Sequence, residues 1–207
     1  MRSMIKLLAV FALVLGSFGQ NTNVLATDRY KLQGLGVSAF FSDLDPTGCI
    51  TTSTSIIVSQ QLTQSEGTRD VTEVMFMNIS QDNICTNTPL ISVSADVPLP
   101  EGAFDIHGNL ASATLDTTVT VINNITDSSI ELEIHLDWTA TSTVLSSSGH
   151  NKFRFGSCHT QLRFDEKIRF ATASGTVSDG IINFTPSPSS SADIFNSKET
   201  NFSHGCE

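Results

Sequence analysis

The chain has 207 residues, of which 39% are hydrophobic, and a formal net charge of −10. This length fits one domain with a sizeable hydrophobic core. A net negative surface repels nucleic-acid phosphates and anionic lipids, so we expect neither as a partner. The sequence has no phosphate-binding loop, zinc-protease motif or G-x-S-x-G motif, so it shows no recognisable catalytic class and implies no cofactor.

Residues 1–26 have the pattern of a secretory signal peptide. Arg2 and Lys6 precede an apolar run, and Val24-Leu25-Ala26 resembles the A-x-A cleavage site of a signal peptide. A membrane anchor would need about 20 apolar residues, whereas glycine and serine interrupt this run sooner. We therefore expect a secreted, extracellular chain, 27–207, that forms one domain without a membrane span. Loss of two basic residues would bring its net charge to −12.

The next feature is the stretch SDLDPTGCI, residues 42–50. It contains the D-x-D-x-T of aspartyl-phosphate phosphotransferases, but that chemistry needs further catalytic groups from βα units, which this sequence does not predict. It also begins like a calcium loop, with Asp43, Asp45 and Thr47 at positions 1, 3 and 5. Position 12 of that loop is Thr54 instead of an acid, so the stretch would form a weak calcium site at most.

A β-hairpin is the interpretation that we favour for this stretch. Asp45-Pro46-Thr47-Gly48 has the residues of a type I turn, with Pro at the second position. We expect a positive φ at Gly48 and a strand that begins at Cys49.

Four cysteines in an oxidising compartment predict two disulfides. Three connectivities are possible. We favour Cys49–Cys85 and Cys158–Cys206, because nested or crossed pairs demand a more specific topology. A zinc site built from the Cys-His and His-Gly-Cys sequences is disfavoured, because such close ligands do not readily face one ion.

Alternation of apolar and polar residues predicts β-strands. In SSIELEIHLDW the apolar residues, which end at Trp138, fall on one face and Glu131, Glu133, His135 and Asp137 on the other. LASATLDTTVTVI repeats the pattern. Further strands are expected at 35–42, 49–60, 71–80, 90–97, 151–157, 160–173 and 176–185, followed by a Pro/Ser-rich loop. About nine strands with one dry face favour an antiparallel β-sandwich, immunoglobulin-like or jelly-roll, with a closed β-barrel as the alternative.

The segment QLRFDEKIRF places Glu166 on the same strand face as four apolar residues, Leu162, Phe164, Ile168 and Phe170. A buried carboxylate there would be a candidate catalytic acid, paired with Glu131 or Glu133 from another strand in a jelly-roll hydrolase. We favour a bulge or tight turn at Asp165-Glu166, which would return both side chains to water.

Three phrases carry a resemblance: FSDLDPTGCI, ASATLDTTVTV and ATASGTVSDGIINFTP. They resemble segments of small secreted microbial β-rich proteins of unknown function, in which the cysteines lie in similar places. The resemblance covers most of the expected mature chain and implies its class, but it offers no catalytic motif.

These observations together predict a non-enzymatic secreted or cell-surface protein that acts by binding or as a structural component. Its partner would be an unknown extracellular protein or glycan, or a further copy of itself, for example by donation of an edge strand. The alternatives are a weak calcium-binding module and a jelly-roll hydrolase with a carboxylate acid and base.

Overall fold

The computed structural model describes residues 27–65, 68–156 and 158–204, and the predicted signal segment lies outside these ranges. The strands are β1 (Thr27–Leu44), β2 (Ile50–Ser65), β3 (Thr68–Asn83), β4 (Thr88–Pro98), β5 (Phe104–Ile106), β6 (Ser112–Asn123), β7 (Ser128–Ala140), β8 (Leu145–Phe155), β9 (Cys158–Ser178) and β10 (Ser191–His204). A short 3-10 helix, Gly108–Leu110, is the one helical element in these ranges. It is far from being the long apolar helix that a membrane crossing requires.

All ten strands belong to one antiparallel sheet, in the order β4-β3-β2-β1-β10-β9-β7-β6-β5, with β8 also paired to β9. The all-β antiparallel prediction is confirmed, with ten strands instead of nine. The sheet is not closed, so the alternative of a closed barrel is wrong for the described residues. It stays open because β5 is only three residues long and β4 approaches β6 without forming a ladder. Next to this contact, Asn124, which directly follows β6, donates its backbone N–H to Ser92 O on β4 (2.7 Å).

The core lies on one face of this sheet, which we call the inner face. Residues on it include Val37 on β1, Ile134 on β7 and Ile194 on β10, all fully buried. The predicted alternation of β7 is confirmed, because its even-numbered residues from 132 to 138 are buried and its odd-numbered neighbours exposed. Trp138 is completely buried, as predicted, and its indole Nε1 donates to Ser38 O at 2.9 Å.

The C-terminal third differs from the sequence-based expectation. β9 is a single strand of 21 residues, so the predicted strand 176–185 is wrong beyond Ser178, and the predicted bulge at Asp165-Glu166 does not occur. The register with β8 and β10 runs unbroken past both residues, because ladders on both sides hold this part of β9 straight. The segment expected as a loop contains β10, which lies in the middle of the sheet between β1 and β9.

Six strands continue beyond the core. We call this part the sheet extension: residues 27–36 of β1, 59–65 of β2, 68–74 of β3, 158–168 of β9, 195–204 of β10 and all of β8. Neither β6 nor β7 pairs with it. Its inner-face side chains are mostly half-buried or exposed, so this face can carry charge without a desolvation penalty.

Candidate functional site

The inner face of the sheet extension collects the positive charge of the molecule. All seven Lys and Arg side chains that the structure describes occupy inner-face positions: Lys31 on β1, Lys152 and Arg154 on β8, Arg163, Lys167 and Arg169 on β9, and Lys198 on β10. His150 and His159 lie on the same face. We call the six cations other than Arg169 the basic face.

Strand alternation and register explain this placement. Arg163 and Lys167 are an even number of residues apart on β9, so they point to the same side. The β8 ladder sets His150 opposite Arg163, and the β10 ladder sets Lys198 opposite Asp165. Cations from three consecutive strands, β8, β9 and β10, therefore meet on one surface with a cation from β1, which is distant in sequence.

The basic face contains an open groove with a volume of about 530 Å³. The residues that line it are Gln33, Ser146, Ser147, Ser148, Asp165, Glu166, Lys167, Asn196 and Lys198. Two acids, Asp165 and Glu166, line the groove beside the two lysines, and Asp165 Oδ2 lies 3.3 Å from Arg163 Nε. Hydroxyl and amide groups beside the cations give the groove hydrogen-bond donors for a polar anionic ligand.

Arg169, next to the basic face on β9, has a structural role. Its Nε donates to Ser142 O at 2.9 Å, and its Nη1 donates to Asn109 O at 3.2 Å. Both acceptors are backbone carbonyls, one in the β7–β8 connection and the other in the 3-10 helix. The guanidinium therefore connects these two segments to β9 by hydrogen bonds, and Arg169 is half-buried.

The other half of the molecule is acidic. No Lys or Arg occurs between Asp70 and Asn151 in the sequence. The outer face of β6 and β7 exposes four carboxylates, which we call the acidic face: Asp116, Glu131, Glu133 and Asp137. His135 lies among them, with its Nδ1 3.0 Å from Asp116 Oδ1.

The stretch SDLDPTGCI forms the β1–β2 hairpin, as predicted. Gly48 N donates to Asp45 O at 2.9 Å, and Gly48 has a φ of 72°. The Asp45 carboxylate accepts hydrogen bonds from Thr47 Oγ1 (2.6 Å) and from the backbone N–H groups of Cys49 (2.9 Å) and Ile50 (2.7 Å). These bonds, led by the one from Thr47, lower the pKa of Asp45 below its usual value. Both carboxylate oxygens of Asp45 therefore accept hydrogen bonds within the turn.

The residues singled out as possible metal or catalytic groups do not converge. Among the described side chains, no group of three or more His, Cys, Asp or Glu is placed to hold a metal ion. Glu133 is opposite Ser178 on β9, twelve residues from Glu166, so the two glutamates are about 40 Å apart along the strand. That separation is several times the roughly 5–10 Å that a glycosidase acid and base require.

Cys49 and Cys85 form a disulfide, with their Cα atoms 5.1 Å apart, so this predicted pair is confirmed. The bond joins the start of β2 to the β3–β4 turn. Cys158 is also disulfide-bonded, but its predicted partner, Cys206, lies outside the described residues. The pairing of Cys158 with Cys206 therefore stays a prediction.

Part of the outer face of the extension is apolar. Leu145, Ile168 and Phe195 lie side by side across three strands, and the Phe195 ring covers Gly36 on the next strand. Half-buried Asp193 lies on the outer face of the sheet just outside the extension, and burial raises its pKa above the usual value, although a hydrogen bond with Ser38 opposes the rise.

The basic face was not predicted from the sequence. The signal was present in the distribution of basic residues, which are absent from most of the chain and alternate with apolar residues in RFDEKIR. The basic face could be predicted only if β10 was first predicted to be a strand, because β10 lies between β1 and β9 and pairs with both. No family model, curated protein or solved structure matches this chain.

Proposed function

We propose that this protein is a non-enzymatic extracellular binding protein whose basic face binds an acidic macromolecule. The observation that carries the proposal is the gathering of all seven described Lys and Arg side chains on one face of the sheet in a chain with a net charge of −10. Charges distributed only for solubility would be interspersed over both faces.

The overall negative charge does not prevent such binding. The screening length of exposed charges is about 8 Å at physiological ionic strength. An anionic ligand on the basic face therefore interacts with its six cations and with the two carboxylates of the groove, Asp165 and Glu166, while the acidic face, on the other half of the molecule, is largely screened. Six cations together provide an attraction that single exposed ion pairs, each contributing about 0–1 kcal/mol, do not.

The proposal includes secretion and a single β-sandwich domain of immunoglobulin-like or jelly-roll type. Secretion is supported by the signal-peptide pattern and by the Cys49–Cys85 disulfide. The sandwich is supported by the approach of β4 to β6, which brings the two ends of the rolled sheet together around one core.

Binding to immobilised heparin, a sulfated polyanion, tests the proposal. The variant Lys167→Gln/Lys198→Gln should weaken binding about tenfold, since each exposed charge contact contributes on the order of 0.5–1 kcal/mol. The control Thr118→Glu/Thr120→Glu changes the net charge by the same amount on β6, where both threonines are exposed. Equal weakening by both variants, or none by the lysine variant, would contradict the proposal.

A further inference from the structure

We propose that the acidic partner of the basic face is the acidic face of a second copy of this chain, so that copies associate head to tail. The inference rests on the proposed function, because it uses the same basic face. It adds the identity of the partner: a second copy of this chain, which binds through its acidic face.

The two faces match in charge. The inner face of the sheet extension presents the six cations and two acids, Asp165 beside Arg163 and Glu73 on β3, and Glu166 also lines the groove, so the cations remain in excess. On the acidic face the histidine at position 135 is the one basic group, and it is beside Asp116. Neither surface is neutralised within one copy. The unpaired cations of one copy can therefore attract the unpaired carboxylates of another.

The charges also match in spacing. Glu131 and Glu133 are alternate residues of β7, so they are about 7 Å apart. Lys167 and Lys198 are diagonal neighbours on β9 and β10, and such neighbours are about 7–8 Å apart. Two carboxylates of one copy therefore fit two ammonium groups of the next without a change in either strand.

The positions of the faces decide the symmetry. The basic face lies on the inner face of the sheet extension and contains the groove, whereas the acidic face is on the outer face of β6 and β7, in the other half of the molecule. The two surfaces do not overlap, so both surfaces of one copy remain accessible at once. A contact between two different surfaces is heterologous and generates chains or rings.

The test is sedimentation velocity of the purified chain over a range of concentrations at about 20 mM and about 500 mM NaCl, which change the screening length severalfold. We expect a weight-average mass that increases with concentration at low salt and returns to the monomer mass at high salt. Lys167→Gln/Lys198→Gln and Glu131→Gln/Glu133→Gln should each be monomeric at low salt. An equimolar mixture should form a one-to-one dimer and nothing larger, because only one productive pair of faces remains.

The heparin measurement separates the two proposals. If Glu131→Gln/Glu133→Gln binds heparin as the parent does while the parent stays monomeric at low salt, the self-association is refuted and polyanion binding stands, with a foreign polyanion as the partner. Assembly that persists in Glu131→Gln/Glu133→Gln also refutes the inference. If the lysine variant keeps full heparin binding, the proposed function fails and the inference fails with it.

Discussion

Replacement of Trp138 by Phe tests how the core is organised. The indole is completely buried on the inner face of β7, and the register places Ala113 and Ala173 on either side of it. Its Nε1 donates to the Ser38 carbonyl on β1. The substitution keeps an aromatic ring but removes this hydrogen bond between strands that are not neighbours in the sheet.

The expected loss in the free energy of unfolding is about 2–4 kcal/mol. The hydrogen bond contributes about 0.5–1.5 kcal/mol. The smaller ring gives up roughly 40 Å² of buried apolar surface, or about 1 kcal/mol at 25 cal/mol per Å². The space left behind adds about 1 kcal/mol, since alanines beside it do not fill it.

Urea denaturation followed by circular dichroism measures this loss, and a thermal melt should show a decrease of about 6–12 °C for a domain of this size. The matched control is Phe155→Leu, because Phe155 is 90% exposed and its ring buries little area. We expect less than about 0.5 kcal/mol from that change. A loss below about 1 kcal/mol at Trp138, or an equal loss at both positions, would refute the assignment of the indole to a packed, hydrogen-bonded core.

The remaining predictions concern two glycines and two aspartates. Gly175→Ala should lower the melting temperature more than Gly48→Ala, because both have a positive φ but only at Gly175 does a Cβ meet the His135 backbone carbonyl. The lowered pKa of Asp45 means that its contribution to stability is present above the usual value of 3.8 and is lost as pH falls through the folded-state pKa. Asp45→Asn should therefore destabilise at pH 7, and its melting temperature should fall less than the parent's on acidification. The raised pKa of Asp193 gives stability the opposite dependence on pH. Its contribution to stability is present below 3.8 and is lost as pH rises through the folded-state pKa. Asp193→Asn should raise the melting temperature at pH 7 but not at pH 3, and the reverse order would contradict the assignment.

Several features were predictable because they depend on neighbours in sequence. The β7 strand was readable because each residue on one side is apolar and each on the other polar, and that periodicity is local. The turn at Asp45 was readable because its hydrogen bonds reach no further than Ile50. The sequence also predicted an all-β antiparallel fold and the Cys49–Cys85 pair.

The tertiary structure alone decided the place of β10 and the position of the basic face. β10 shows alternation only near Ala192 and Ile194, where it covers the core, and beyond them its polar residues resemble a loop. It is a strand because β1 and β9 satisfy its backbone hydrogen-bonding groups on both sides. Through it, Lys31 is brought to the same surface as Arg163, and no local pattern reports a neighbour more than a hundred residues away.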